Sequence, residues 1–179
     1  MAIAKMHNRI SVIMGSECSA QEITKDKNIY LCCLETLDLE DFSISEQSIL
    51  TSSLEEVFRF DSVVQNTMAR SPVGAQILIC AGHEPSRQVR VLLLIGCHLI
   101  MSQGLGFEET VLAYRPFKDM LASHSPNETW QWLQDCWRAM CCAKYLDWID
   151  FSESQEEKIE GAIHMDEYIH YARCAHASF

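Results

Sequence analysis

Hydrophobic residues recur at helical spacing in two long stretches of the chain. The first lies between Ser53 and Met68, and the second follows Ser125-Pro-Asn-Glu128. In that motif the serine, the proline and the glutamate stand at the N-cap, first and third positions of a helix start. The apolar residues of each stretch fall on one face, which predicts two amphipathic helices packed on a core. Those apolar residues are Leu54, Val57, Phe58, Val64, Trp130, Leu133, Trp137, Met140 and Cys141.

Two shorter apolar runs have the length of strands. Residues 28–34 and 76–81 are continuous and apolar, which is typical of strands covered on both faces. The second run breaks at residues 82–86, and a helix is predicted from Gln88 to Ser102 with the apolar run 91–100 buried inside it. The loop between such a strand and helix lies where open α/β sheets bind ligands. We therefore predict an α/β fold with a central twisted, mostly parallel sheet flanked by helices.

The two ends of this pattern are less regular. Over residues 1–20 the apolar positions are interrupted by Lys5, His7, Asn8 and Arg9 and show no firm period. We therefore expect an N-terminal extension over residues 1–21, without a signal-peptide core, and one domain over residues 22–179. Short helices are also predicted over residues 106–114 and 165–174.

Composition narrows the class of protein. The chain has 179 residues, about one domain, and 48% of them are hydrophobic. The net charge of −11 opposes binding to a phosphate backbone, so we expect no nucleic acid partner. The longest apolar run is about half of the ~20 residues that a membrane span needs, so we expect no membrane partner. Nine cysteines, an odd number, do not form a disulfide framework and indicate an intracellular protein.

Three motifs carry a resemblance to a known family. They are Leu94-Ile-Gly-Cys97, Phe107-Glu-Glu-Thr-Val-Leu-Ala-Tyr-Arg-Pro-Phe117 and Asp166-Glu-Tyr-Ile-His-Tyr-Ala-Arg173. From about Glu22 to Phe179 the chain resembles the N-terminal domain of the mitotic-exit dual-specificity phosphatases, a cell-division-cycle family that reverses cyclin-dependent-kinase phosphorylation. The resemblance implies a protein-tyrosine-phosphatase-like fold and a location in nucleus and cytoplasm.

The resemblance also implies a role. In this family two phosphatase-like domains stand in tandem, and the first has no catalytic loop but forms one wall of the substrate groove. The interdomain linker would begin near Phe179. The expected partner is therefore a phosphoprotein substrate or a catalytic phosphatase domain.

The sequence tests directly whether a catalytic loop is present. A cysteine-dependent phosphatase needs His-Cys-x5-Arg, in which an activated thiolate attacks and the arginine and backbone N–H groups hold the phosphoryl oxygens. Cys80 follows the predicted strand, but six residues separate it from Arg87, Ile79 replaces the histidine, and Pro85 removes one N–H group. No other cysteine has an arginine six positions later. We expect a non-catalytic module; the alternatives are a divergent phosphatase using Cys80 and Arg87, and a stand-alone pseudophosphatase.

The resemblance assigns substrate-groove positions near the end of the chain. In the family, acidic side chains there favour a basic residue after phosphoserine-proline. The aligned positions are Ile169, Ala172 and Ser178, so all three carboxylates are absent, although Asp166 and Glu167 lie nearby. The resemblance still implies a groove at these five residues. A helix that packs without any ligand is the alternative.

Two further groups of residues have chemistry of interest. His170, Cys174 and His176 are ligand types that zinc prefers, but no second ligand pair accompanies them, so we expect no metal and no other cofactor. His83 and Glu84 in the loop are acid–base groups, although a loop-tip histidine is more often simply solvated.

Arginines and tryptophans have both structural and functional interpretations. Arg87 and Arg90, at the start of the buried helix, offer contacts to an anion, but ordinary surface pairing is the commoner role. Trp130, Trp137 and Trp148 offer anchors for a partner protein. Tryptophans on the apolar face of a helix are more often part of the core, which is our expectation here.

Overall fold

A computed structural model describes residues 2–14, 29–32, 54–118 and 128–149. Its sheet has the strand order β1-β2-β4-β3. Strand β1 pairs antiparallel with β2, whereas β2 and β3 each pair in parallel with β4. The prediction of an α/β protein with a mostly parallel sheet is thus confirmed for the described strands. These strands are β1 (Ala2–His7), β2 (Ile10–Met14), β3 (Ile29–Cys32) and β4 (Gln76–Cys80).

Four α-helices flank this sheet in the described part of the chain. They are α1 (Leu54–Arg70), α2 (Pro85–Met101), α3 (Phe107–Ala113) and α4 (Glu128–Tyr145), with a 3-10 turn at Arg115–Phe117. The helices predicted over residues 53–68 and 106–114 and after Ser125 are confirmed, while Ser125 itself lies outside the described residues. Within the described ranges, none of the helices combines the length and the apolar character that a membrane crossing requires.

The N-terminal residues contradict the predicted extension, because residues 2–14 form a hairpin within the sheet. The polar residues that interrupt the apolar pattern are those of the hairpin itself: Lys5 is exposed on β1, and Asn8 and Arg9 make the turn. Asn8 has a φ of 40°, a left-handed conformation that asparagine tolerates better than most residues. Strand β2 then pairs directly with the central strand β4.

Arg9 fixes this hairpin to the rest of the domain. Its Nε donates to the carbonyl of Ala75 at 2.7 Å, its Nη2 to that of Pro72 at 3.0 Å and its Nη1 to that of Met68 at 3.4 Å. These carbonyls belong to the last turn of α1 and to the loop before β4. The planar guanidinium spans acceptors in a way that a lysine ammonium does not.

Replacing Arg9 by methionine is expected to lower the free energy of unfolding by about 2 kcal/mol, because hydrogen bonds from a charged donor to three carbonyls are lost. Urea denaturation measures the change. Lys5→Met, which removes an exposed charge from the same hairpin, is the control and should change stability by less than ~0.5 kcal/mol. Equal effects of the two substitutions would show that the hydrogen bonds of Arg9 do not stabilise the hairpin.

Helix α2 begins three residues before the predicted start at Gln88. Pro85 occupies the first turn, where its missing N–H group costs nothing, and Glu84 precedes it in an extended conformation. The sequence pattern predicts Pro85 and Ser86 as loop residues, and this prediction is wrong. The connection from β4 therefore consists of residues 81–84 alone, and Arg87 belongs to the first turn of the helix.

Helix α2 lies between α1 and α4, and its predicted apolar run is entirely buried. Gly96 allows this packing, since a Cβ atom there would lie 2.0 Å from the Nε1 atom of Trp137. The Trp137 indole donates to the carbonyl of Leu93 at 3.3 Å, and the Tyr114 hydroxyl to that of Leu92 at 2.7 Å. The rings of Tyr114 and Trp137 are 4.3 Å apart. Aromatic side chains thus fill the space that the glycine leaves.

Hydrogen bonds from two separate parts of the chain satisfy carbonyls at the C-terminal end of α2. Gly104 has a φ of 75°, and the following Leu105 donates its N–H to the carbonyl of Leu99 at 3.0 Å. From α4, the Lys144 Nζ atom donates to the carbonyl of Ile100 at 2.5 Å. A cation at this end of a helix satisfies carbonyls that have no partner within the helix.

The two faces of the sheet contribute to different clusters. Val12, Ile77 and Ile79 point toward the helices and belong to the main core, while Ile13 and Leu78 belong to a smaller cluster on the other face. The strand predicted over residues 28–34 is confirmed as β3. The prediction that both faces of this strand are covered is wrong, because Tyr30 is 40% exposed. Among the described strands, β3 pairs with β4 alone.

Candidate functional site

The predicted site is the connection between β4 and α2. Strands β2, β3 and β4 are parallel, so their carboxyl ends share one edge of the sheet. Helices α1 and α2 run in the same direction, since Glu56 pairs with Arg90 and, further along both helices, Asp61 pairs with His98. Residues 81–84 directly follow β4, so they lie at the edge of the sheet formed by the carboxyl ends of the parallel strands, where α/β sheets offer a ligand site.

Cys80 lies in the sheet rather than in the loop. It is the last residue of β4, pairs in register with Ile13 and is 3% exposed. Its side chain packs with Ile13 and Leu78 on the face of the sheet away from the helices. The ladder continues past it, since the N–H of Ala81 donates to the carbonyl of Ile13 at 2.9 Å. A nucleophilic thiol needs access to its substrate, and the thiol of Cys80 at this position has little access to solvent or to a substrate.

The loop is held by its own neighbours. Gly82 has a φ of 76°, and its carbonyl accepts a 2.9 Å hydrogen bond from the buried side chain of Gln88. The Arg87 side chain lies against Gly82, so that a Cβ atom there would be 3.3 Å from its Cδ atom. Ser86 donates its hydroxyl to a carboxylate oxygen of Glu84 at 2.9 Å. The sequence predicted none of these contacts.

The structure separates the other candidate residues of this region. His83 and Glu84 are exposed, as expected for a solvated loop tip. Arg90 forms an ion pair with Glu56 of α1, and both side chains are mostly buried. The pairing expected for Arg90 is therefore present, but it lies inside the α1–α2 contact rather than on the surface.

A buried polar cluster that the sequence did not reveal connects α1 to α2. The Oδ1 atom of Asp61 is 2.6 Å from His98 Nδ1 and 2.5 Å from the Ser102 hydroxyl, and Oδ2 accepts from Gln65 at 2.7 Å. Gln103 Nε2 lies 3.4 Å from the other ring nitrogen of His98. The only local signal for this cluster is a histidine within an apolar run.

This cluster contains the residue types of a hydrolytic triad but not its geometry. In a triad the serine hydroxyl is hydrogen-bonded to the imidazole, which acts as its base. Here Ser102 and His98 both contact the same oxygen of Asp61, so the hydroxyl is bonded to the carboxylate instead. The arrangement satisfies a buried carboxylate with three donors, which suits a link between helices.

The described cysteines are thiols, not disulfides. Burial is the largest cause that raises the pKa of Cys97 well above its usual value, and it also raises the pKa of Cys141 to about 11. Both thiols are therefore protonated at neutral pH, which is the opposite of the activation that a catalytic cysteine needs. In the part of the chain that the structure describes, no three histidine, cysteine or acidic residues could together hold a metal ion.

Stability is expected to fall as the pH rises above about 9. The Cys141 thiol keeps its proton up to about pH 11 in the fold, whereas the unfolded chain loses it near 9, so hydroxide favours unfolding in this window. For this half-buried thiol we expect about 1 kcal/mol between pH 9 and 11, after discounting for solvent. Urea denaturation of Cys141→Ala should show a shallower pH dependence, and Gln131→Ala on the same helix should not. An unchanged pH dependence in Cys141→Ala would contradict this origin.

Several predicted residues lie outside the described ranges. They are Asp166, Glu167, Ile169, Ala172 and Ser178 of the expected groove and His170, Cys174 and His176 of the zinc alternative.

The three candidate tryptophans differ in burial. Trp137 is fully buried, and Trp130 packs half-buried against it. Trp148 is 56% exposed, so the expectation of a core residue is wrong for this tryptophan. It lies beyond the end of α4 and not on the apolar face of that helix.

The chain was compared with models of known protein families and with curated proteins, and neither comparison finds a match. The functional interpretation therefore depends on the site residues and on the geometry around them.

Proposed function

We propose that this chain is a phosphatase-like module without a catalytic loop of its own, the N-terminal module of a dual-specificity (Ser/Thr/Tyr) protein phosphatase. In this proposal it has a protein-tyrosine-phosphatase-like fold and contributes to the substrate groove or docks the catalytic domain, in the nucleus and cytoplasm. Its partner is a phosphoprotein substrate or that catalytic domain.

One observation carries the proposal. The central strand β4 leads through residues 81–84 into the buried helix α2, with Cys80 at the end of the strand and Arg87 in the first turn of the helix. A phosphatase places its nucleophile and arginine on such a strand, loop and helix. An antiparallel hairpin on one side of β4 and a parallel strand on the other complete a mixed sheet that is compatible with this fold.

Three properties of the loop support a non-catalytic role. The thiol of Cys80 is buried among sheet residues, and the N–H of Ala81 is used in the sheet ladder. Pro85 adds no N–H group. A phosphoryl cradle needs several backbone N–H groups directed at one point. Two positions of this segment, Ala81 and Pro85, therefore give no N–H group to such a cradle.

The alternative of a divergent phosphatase keeps one observation in its favour, namely that the Arg87 side chain lies against the loop at Gly82. In that alternative the Cys80 thiolate attacks the phosphorus atom, the bond to the ester oxygen breaks, and water then hydrolyses the cysteinyl phosphate to release phosphate. Arg87 holds the phosphoryl oxygens, despite six residues between it and Cys80. The stand-alone pseudophosphatase uses the same fold without turnover.

Hydrolysis of p-nitrophenyl phosphate distinguishes these functions. We expect the purified chain to hydrolyse it no faster than Cys80→Ser, because the thiol is buried and Ala81 and Pro85 give no N–H group to a phosphoryl cradle. Cys142→Ser, which removes a half-buried thiol from α4, is the matched control. Hydrolysis that is lost in Cys80→Ser and Arg87→Met but retained in Cys142→Ser would establish the divergent enzyme instead.

The tandem arrangement has its own test. The coding sequence should continue past Phe179 into a domain with an intact His-Cys-x5-Arg motif, and a stop codon there would favour the stand-alone binder. With that domain in hand, kcat/KM is measured with and without this module. Removal of the module should lower kcat/KM for a phosphoprotein and leave that for p-nitrophenyl phosphate unchanged, because only the larger substrate reaches the groove wall. Equal values on the phosphoprotein would contradict a groove role.

A further inference from the structure

We draw no further inference here: the strongest candidate, the exposed apolar patch that Tyr145, Leu146 and Trp148 form at the end of α4, carries none, because nothing among the residues that the structure describes shows what covers it.

Discussion

Gly96→Ala is expected to lower the free energy of unfolding by about 2–4 kcal/mol. The new methyl group would lie 2.0 Å from Nε1 and 2.4 Å from Cε2 of Trp137, both in a rigid, fully buried ring. Relief requires the indole to leave its place against Tyr114 and its hydrogen bond to Leu93. A clash that displaces a rigid ring stands at the upper end of the about 1–3 kcal/mol that overpacking costs, and the lost indole hydrogen bond adds about 1 kcal/mol. Alanine recovers ~1 kcal/mol of helix propensity, so a net loss of about 2–4 kcal/mol remains. Urea denaturation measures the difference.

Two comparisons separate this steric effect from ordinary glycine effects. Gly104→Ala meets open space and should cost only the ~1–2 kcal/mol of a left-handed alanine. In a Trp137→Leu background, Gly96→Ala should become neutral or stabilising by up to ~1 kcal/mol, because helix propensity is then the remaining term. If Gly96→Ala costs the same in both backgrounds, the contact with Trp137 is not the cause.

His98→Leu is expected to cost about 3 kcal/mol. It removes the imidazole from Asp61 and leaves a buried carboxylate with the two donors from Ser102 and Gln65. Breaking one side of a buried pair is costly because the remaining charge has lost its partner while staying out of water. Thermal and urea unfolding should both show the loss.

The double variant Asp61→Leu with His98→Leu should recover most of this stability, since an apolar pair of similar volume is often neutral or better. Arg59→Leu is the control for charge removal on α1. Its pair with Glu55 is on the surface and should cost less than ~1 kcal/mol. A double variant as unstable as His98→Leu would show that the carboxylate itself does not cause the loss.

Local patterns in the sequence predict much of this fold. Helical spacing predicts α1 and α4, and continuous apolar runs predict β3, β4 and the burial of α2, because each pattern arises from residues close together in the chain. Proline at a helix start is also a local signal, and recognising it at Pro85 would have placed the start of α2 correctly.

The remaining features depend on residues far apart in sequence. Arg9 and Asn8 interrupt an apolar pattern, and the pairing of β1 with β2 shows that they form a hairpin turn. The carbonyls that Arg9 contacts lie 59 to 66 positions away in sequence. His98 and Asp61 are 37 positions apart, so neither predicts the other. At the candidate site, spacing correctly places Cys80 at the strand end and Arg87 nearby. The direction of the thiol, toward the face of the sheet away from the helices, follows from strand register that no local pattern contains.

The N-terminal hairpin has a consequence for how the protein is made. Strand β2 precedes its partner β4 in the chain by a long interval. The hydrogen bond from Arg9 to the carbonyl of Ala75 likewise joins residues that are 66 positions apart. During synthesis the hairpin emerges before β4, and β2 keeps one edge without its native partner until β4 has left the ribosome. Long-range parallel pairing is intrinsically slow to form, and unpaired strand edges favour aggregation. Strand β2 is thus translated long before the strand that it pairs with in the native sheet.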